Sequence, residues 1–321
     1  MGAYSVFQVI IDDFGLLWHA LNSRYLVTEF WQGRATGLFI HPNNLGGYTL
    51  MVLALLMGGF SLKEVRGKRL LMALSWLLML LALLLSGSRG AWIGFIMMVA
   101  FLMFIRFRGG KITIAAALVA LLCAYIIFQH LPVLSERSSL DELTVSSRMD
   151  VYAAAWILFL RQPIIGIGFT NFREVMRWTV SPSGWMLTDF WKYAHGVHQH
   201  NIYLWILSEC GIIGFLLFYG PILFVLVRCI KRSLVGGSPY TTPVAAAIFA
   251  TLIHGMFDLS LDAAAILQMF FVLVGMGFAV SQSQLSRKAA PVAVAAMAAP
   301  LKMSGYRPAP SPVELAHGPR N

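Results

Sequence analysis

The densest group of side chains able to move a proton is His195-Gly196-Val197-His198-Gln199-His200, followed at once by Asn201 and a long apolar run. Imidazole titrates near neutrality and is also a common zinc ligand, so the run admits a general base or a metal site. No carboxylate or cysteine sits at a supporting spacing and the segment runs straight into a helix, so a compact three-ligand geometry is not specified. The expectation is therefore no metal and no cofactor, with one histidine as a lone titrating base. His200 stands at the mouth of a helix predicted to start near Ile202, with Asn201 as its N-cap. The positive end of that helix lowers the pKa of a neighbouring imidazole.

Arginines supply the complementary chemistry. Arg89 lies in the tight turn Ser86-Gly87-Ser88-Arg89, Arg148 precedes the short apolar segment Val151 to Leu160, and Arg34 lies upstream of both. A guanidinium near a bilayer is a functional candidate and matches phosphate oxygens bidentately. The plainer alternatives are that Arg89 snorkels to lipid headgroups, that Arg148 pairs with Glu142 or Asp150, and that His200 is only a headgroup-facing cap residue. Trp178, Trp185 and Trp191 suit a carbohydrate or lipid-phosphate ligand, or an aromatic belt at the interface. Glu209 falls inside an apolar stretch, where an ionisable group must meet an arginine or polar backbone; it is not assigned as the base. Gly211 and Gly214 have the spacing that lets a neighbouring helix approach.

The elements that must position these groups are membrane helices. The sequence is 58% hydrophobic and 12% charged, with the apolar residues in long blocks, which excludes a soluble globular domain. Spans of about 17 to 25 residues fit a bilayer, and seven are predicted near residues 44–60, 70–86, 90–105, 112–131, 202–227, 244–257 and 263–280. Val151 to Leu160 is too short to span and reads as interfacial or re-entrant. The net charge of +10 would suggest nucleic acid in a soluble protein. Here the basic residues cluster around Lys63 to Arg69, Arg106 to Lys111, Arg228 to Arg232 and in the tail, carrying +13 against −3 elsewhere, so the positive-inside rule makes those segments cytoplasmic. No nucleic-acid partner is expected.

The predicted fold is thus an all-α polytopic transmembrane bundle of the inner membrane, residues 44–280, with a long outer, periplasmic loop at 132–200. Residues 1–43 form an outward segment, and an outward start without a signal peptide predicts either further helices upstream of it or a wrongly assigned start. Residues 281–321, rich in Ala, Pro and Ser, are predicted to be a disordered cytoplasmic tail. Cys123, Cys210 and Cys229 lie in apolar segments without paired spacing and are assigned to packing.

Four ordered stretches carry a resemblance. His200-Asn201, nine residues, then Gly211-Ile212-Ile213-Gly214 is similar to the His-Asn-x9-Gly-x-x-Gly pattern of the O-antigen ligase family. Gly33 to Asn44, Ser86 to Trp92, and Ser146-Ser147-Arg148 followed by Pro163 to Phe169 resemble it too. The resemblance implies a metal-independent glycosyltransferase, partnered by the membrane, a polyprenyl-diphosphate-linked glycan donor and a lipid or glycan acceptor. It implies that His200 is the catalytic histidine; Arg89, Arg148, Arg34, Asn201 and His198 are expected at the substrate. Related polymerases share these stretches, and a transporter or an inactive assembly protein remains an alternative.

Overall fold

The computed structural model describes residues 2–10, 34–59, 67–107, 138–176, 199–236 and 238–298, and these are helical with no strand among them. The helices are α1 (Gly2–Ile10), α2 (Pro42–Gly59), α3 (Arg69–Leu85), α4 (Arg89–Phe107), α5 (Ser138–Arg161), α6 (Phe172–Met176), α7 (Ile202–Leu234), α8 (Thr241–His254) and α9 (Ala264–Ala298). Six of the seven predicted spans coincide with α2, α3, α4, α7, α8 and α9; the seventh, 112–131, lies outside the described residues. Among the described residues, three helices are long and apolar enough to cross a membrane: α4, α7 and the Ala264–Gln282 part of α9, while α3 and α8 are shorter apolar helices. The chain is a membrane protein by these helices.

Packing follows from the run lengths. Helix α8 is buried along most of its length, Val244, Ala245, Ala246, Ala247 and Ile248 among the buried residues, because it packs between α2 and α4. Its small side chains let those neighbours close in. A continuous apolar core joins them to Met98 of α4, Ile222 and Val225 of α7, and Ile266 and Phe270 of α9. The chain divides into two units, Met1–Gln282 and Ser283–Asn321. Helix α9 continues to Ala298, past Ser281, where composition alone places the start of an irregular tail. Alanine, abundant from Ala289 onward, is the best helix former and gives a local reason for that continuation.

Two features go beyond the sequence reading. Val151 to Leu160 is the second half of a longer helix, α5, which packs on α7. Helix α7 is not one straight rod from its start: Gly211, at φ 63° and ψ −167°, breaks it. The Tyr219 hydroxyl donates to the Ile202 carbonyl at 2.9 Å and the Tyr203 and Tyr219 rings stack at 5.0 Å. A straight helix rises 1.5 Å per residue and would hold positions 202 and 219 roughly 25 Å apart. The first arm of α7 therefore folds back against the second.

The break accounts for its own backbone. The amides of Ile212 and Ile213 donate to the carbonyls of Pro163 and Ile164 at 2.8 and 3.2 Å, and the carbonyls of Ser208 and Glu209 accept from Ile167 and Gly168 at 3.0 and 2.9 Å. A Cβ at Gly211 would lie 2.4 Å from the Ile164 oxygen, so only glycine fits. Gly211 thus admits the 163–168 loop and not the neighbouring helix that its spacing with Gly214 predicts, and the nearest side chain to Gly214 is Cys210 of its own helix.

Candidate functional site

The polar cluster gathers where α2, α4, α7 and α8 end together. Asn201 caps α7 as expected: its Oδ1 accepts from the Tyr203 and Leu204 amides at 2.9 and 3.0 Å, and its Nδ2 donates to the Met256 carbonyl at 3.1 Å. The Ile202 amide, one of the donors a helix start leaves open, is met by the Gly255 carbonyl at 2.8 Å. Gly255 ends α8 and touches Ile202 so closely that a Cβ there would lie 2.3 Å from its side chain. This junction presents His200 beside the loop that follows α8.

That loop holds the residue on which the cluster turns, Asp258. Its Oδ1 accepts from the Leu259 amide at 2.6 Å and its Oδ2 accepts a short bond from Asn43 Nδ2. Asn43 also receives Arg34, whose Nη2 donates to Asn43 Oδ1 at 2.6 Å while its Nε donates to the Ser86 carbonyl at 2.8 Å. The Asn43 amide donates to His41 Nδ1 at 3.1 Å. Burial pushes the Asp258 carboxyl up, but His254, His41, His200 and Arg148 around it outweigh burial and hold it below the usual carboxylate range. The carboxylate is buried beside three histidines and one arginine.

His200 takes a positive φ of 48°, uncommon for a residue with a side chain. Its carbonyl accepts from the Tyr152 hydroxyl of α5 at 3.0 Å, and its buried Nδ1 has no hydrogen-bond partner among the described residues. Burial lowers its pKa first; the Asp258 charge opposes that and the Arg148 charge adds to it. The direction agrees with the expectation from the helix end, but burial is the main cause. The lowered pKa favours the neutral imidazole, and its Nδ1 is open to a partner from outside the described residues.

Arg148 belongs to the same cluster through space. Its hydrogen bond among the described residues runs from Nη1 to the Phe257 carbonyl, at 3.5 Å, so most of its guanidinium edge is uncommitted there. Arg89 is exposed at the first residue of α4, and the adjoining Gly90 lies against His254 and Phe257. His198, Trp178, Trp185 and Trp191 lie outside the described residues. Glu209 meets polar groups as predicted, accepting from the Thr170 and Phe172 amides, Gln199 Nε2 and Trp205 Nε1.

Sequence reasoning missed Asp258, the Asn43–Arg34 link, Tyr152, and His254, whose Nδ1 lies 3.1 Å from Ser260 Oγ. The available signal was charge: an aspartate in a five-residue loop between apolar helices is costly unless a cation meets it. A cavity of about 490 Å³ lined by Met57, Arg106, Ser233 and Pro243 sits at the other ends of these helices and offers one charged side chain. The polar cluster around Asp258 lies at the Arg89 end.

Residues 74–219 match the family model described as O-antigen ligase, which supports an O-antigen ligase-like family for the chain. The matched stretch contains Arg89, Arg148 and His200 and stops short of Asp258. No curated protein sequence matches the chain.

Proposed function

Proceeding from that O-antigen ligase-like match, we propose that the chain is a ligase-type glycosyltransferase. It moves a glycan from a polyprenyl diphosphate to an acceptor hydroxyl at the periplasmic face of the bacterial inner membrane. The chain is multi-pass in this reading, with its basic loops cytoplasmic and residues 132–200 periplasmic. The observation that carries it is the meeting, among the described residues, of a cation with uncommitted donors, Arg148, and an imidazole whose buried Nδ1 has no partner there, His200, around one buried carboxylate, Asp258.

The division of labour follows from charge. The acceptor O–H gives its proton to His200 as its oxygen bonds to the donor sugar's anomeric carbon, and the bond from that carbon to the diphosphate breaks. The polyprenyl diphosphate leaves with the electron pair. Arg148 and Arg89 meet its negative charge through charge-assisted hydrogen bonds, which leaves no task that requires a metal. Asp258 steadies the imidazolium that forms, and Arg34 acts through Asn43 to hold Asp258. Asn201, with its oxygen spent on the cap, orients the His200 shoulder. A polymerase would use the same site with a growing glycan as acceptor.

The test is donor affinity and transfer rate in reconstituted protein. His200→Ala is expected to bind donor but lose roughly 10²- to 10⁴-fold in rate, the usual worth of a general base. Arg148→Ala and Arg89→Ala should weaken donor binding by about 1.5 to 3 kcal/mol, the range for hydrogen bonds to charged groups, and EDTA should leave transfer unchanged. Near wild-type transfer by His200→Ala overturns the assignment of the base.

A further inference from the structure

The second half of helix α5 presents an apolar surface on two sides. Its Val151, Ala154, Ala155 and Leu158 are buried in a small core with Phe172. A soluble helix packed this way turns polar residues outward. Here the outward ridge is Met149, Ala153, Trp156 and Leu160, at helical spacing, with Trp156 47% exposed. The ridge runs into the 163–169 loop, where Ile164, Ile165 and Phe169 are exposed, Ile165 by 70%. Patches of this kind mark an interaction surface.

The four backbone bonds across the Gly211 break say what that surface faces. Two of them fasten Pro163 and Ile164 to Ile212 and Ile213, which open the exposed apolar stripe of α7 that continues through Leu216, Leu217 and Phe224. Helix α7 is apolar enough to cross a membrane, and that stripe lies opposite its buried face of Tyr219, Ile222 and Val225. The loop prolongs a lipid-facing stripe. Its irregular backbone is acceptable at that depth because the broken helix satisfies it, as hydrocarbon requires.

The geometry points to a lipid-inserted elbow: the second half of α5 and the 163–169 loop lie within the bilayer leaflet at the Arg89 end, with Trp156, Leu160, Ile164, Ile165 and Phe169 against acyl chains. The elbow also braces the site from the membrane side, since Tyr152 holds the His200 carbonyl and Glu209 joins Thr170 and Phe172 to Gln199. This inference rests on the membrane reading and is independent of glycan transfer.

The experiment uses the full chain with Cys123, Cys210 and Cys229 replaced by alanine. A nitroxide is attached at Trp156→Cys, Ile165→Cys or Phe169→Cys, and Leu217→Cys serves as the lipid-facing reference. Protein is reconstituted into phosphatidylethanolamine–phosphatidylglycerol vesicles, and collision rates are measured with oxygen, which concentrates in hydrocarbon, and with a water-soluble nickel chelate. The expected result is an oxygen-to-nickel ratio at 156 and 165 equal to that at 217. Nickel-dominated collisions mean a water-facing loop and overturn the inference. Immobile labels shielded from both reagents mean that another part of the chain covers the ridge, which overturns it equally. Neither result depends on whether the protein transfers glycan.

Discussion

Replacing Glu209 by alanine withdraws one carboxylate from four donors at once. Its Oε2 accepts from the Thr170 amide and from Trp205 Nε1, both at 2.9 Å, and its Oε1 accepts from Gln199 Nε2 at 3.3 Å and the Phe172 amide at 3.4 Å. Thr170 is exposed and can turn to water. Phe172, Gln199 and Trp205 are buried. Each buried donor left unpaired costs roughly 1 to 3 kcal/mol, so the loss is about 3 kcal/mol at the low end and about 9 before relaxation. Glu209→Gln should fall between, because its amide keeps one accepting oxygen and turns an NH₂ toward the donors of the other. Against a total stability of about 5 to 15 kcal/mol, even the low figure is large. The assay is thermal unfolding of the purified protein in detergent, read by tryptophan fluorescence and monodispersity, with hydrogen exchange of the Thr170 and Phe172 amides as the local probe. Wild-type melting and wild-type protection of those amides in Glu209→Ala would refute the reasoning, since the carboxylate would then hold nothing together.

Three further outcomes follow from the same geometry. The His200 base works when deprotonated, so activity falls as pH drops through its folded-state pKa; Asp258 raises that pKa against burial. Asp258→Asn should therefore shift the acid limb of the rate profile to lower pH, and an unmoved limb counts against the pairing. Gly211→Ala should destabilise by at least about 1 to 2 kcal/mol for the left-handed backbone alone, whereas Gly220→Ala, with nothing within 4 Å of its Cβ, should be neutral or stabilising; melting curves compare them. Arg66→Cys should resist an impermeant thiol reagent in intact cells, and its labelling would reverse the assigned topology.

Much of the framework is legible along the chain. The apolar run lengths locate six helices that the structure contains, because a helix satisfies its own backbone and needs only neighbours a few residues away. The Asn201 cap is legible for the same reason, its bonds reaching only two and three residues ahead. Glu209 announces its need for partners, since an ionisable group in an apolar run cannot stay unmet. His200 and the arginines stand out by type and position.

The partners themselves are a matter of tertiary structure. Asp258 bonds Asn43 across 215 positions, and Arg34 reaches Ser86 across 52. No periodicity or spacing carries that information, because side chains so distant meet only when α2, α4 and α8 pack side by side with these ends together. The reversal at Gly211 is likewise invisible locally: the apolar pattern of α7 reads as one helix, and the break is stable only because Pro163, Ile164, Ile167 and Gly168 arrive to take its backbone bonds. Local chemistry alone specified the six apolar helices and the candidate residues that stand out by type. Long-range packing decided which of them face one another, since a buried charge or a broken helix is tolerable only beside the group that satisfies it.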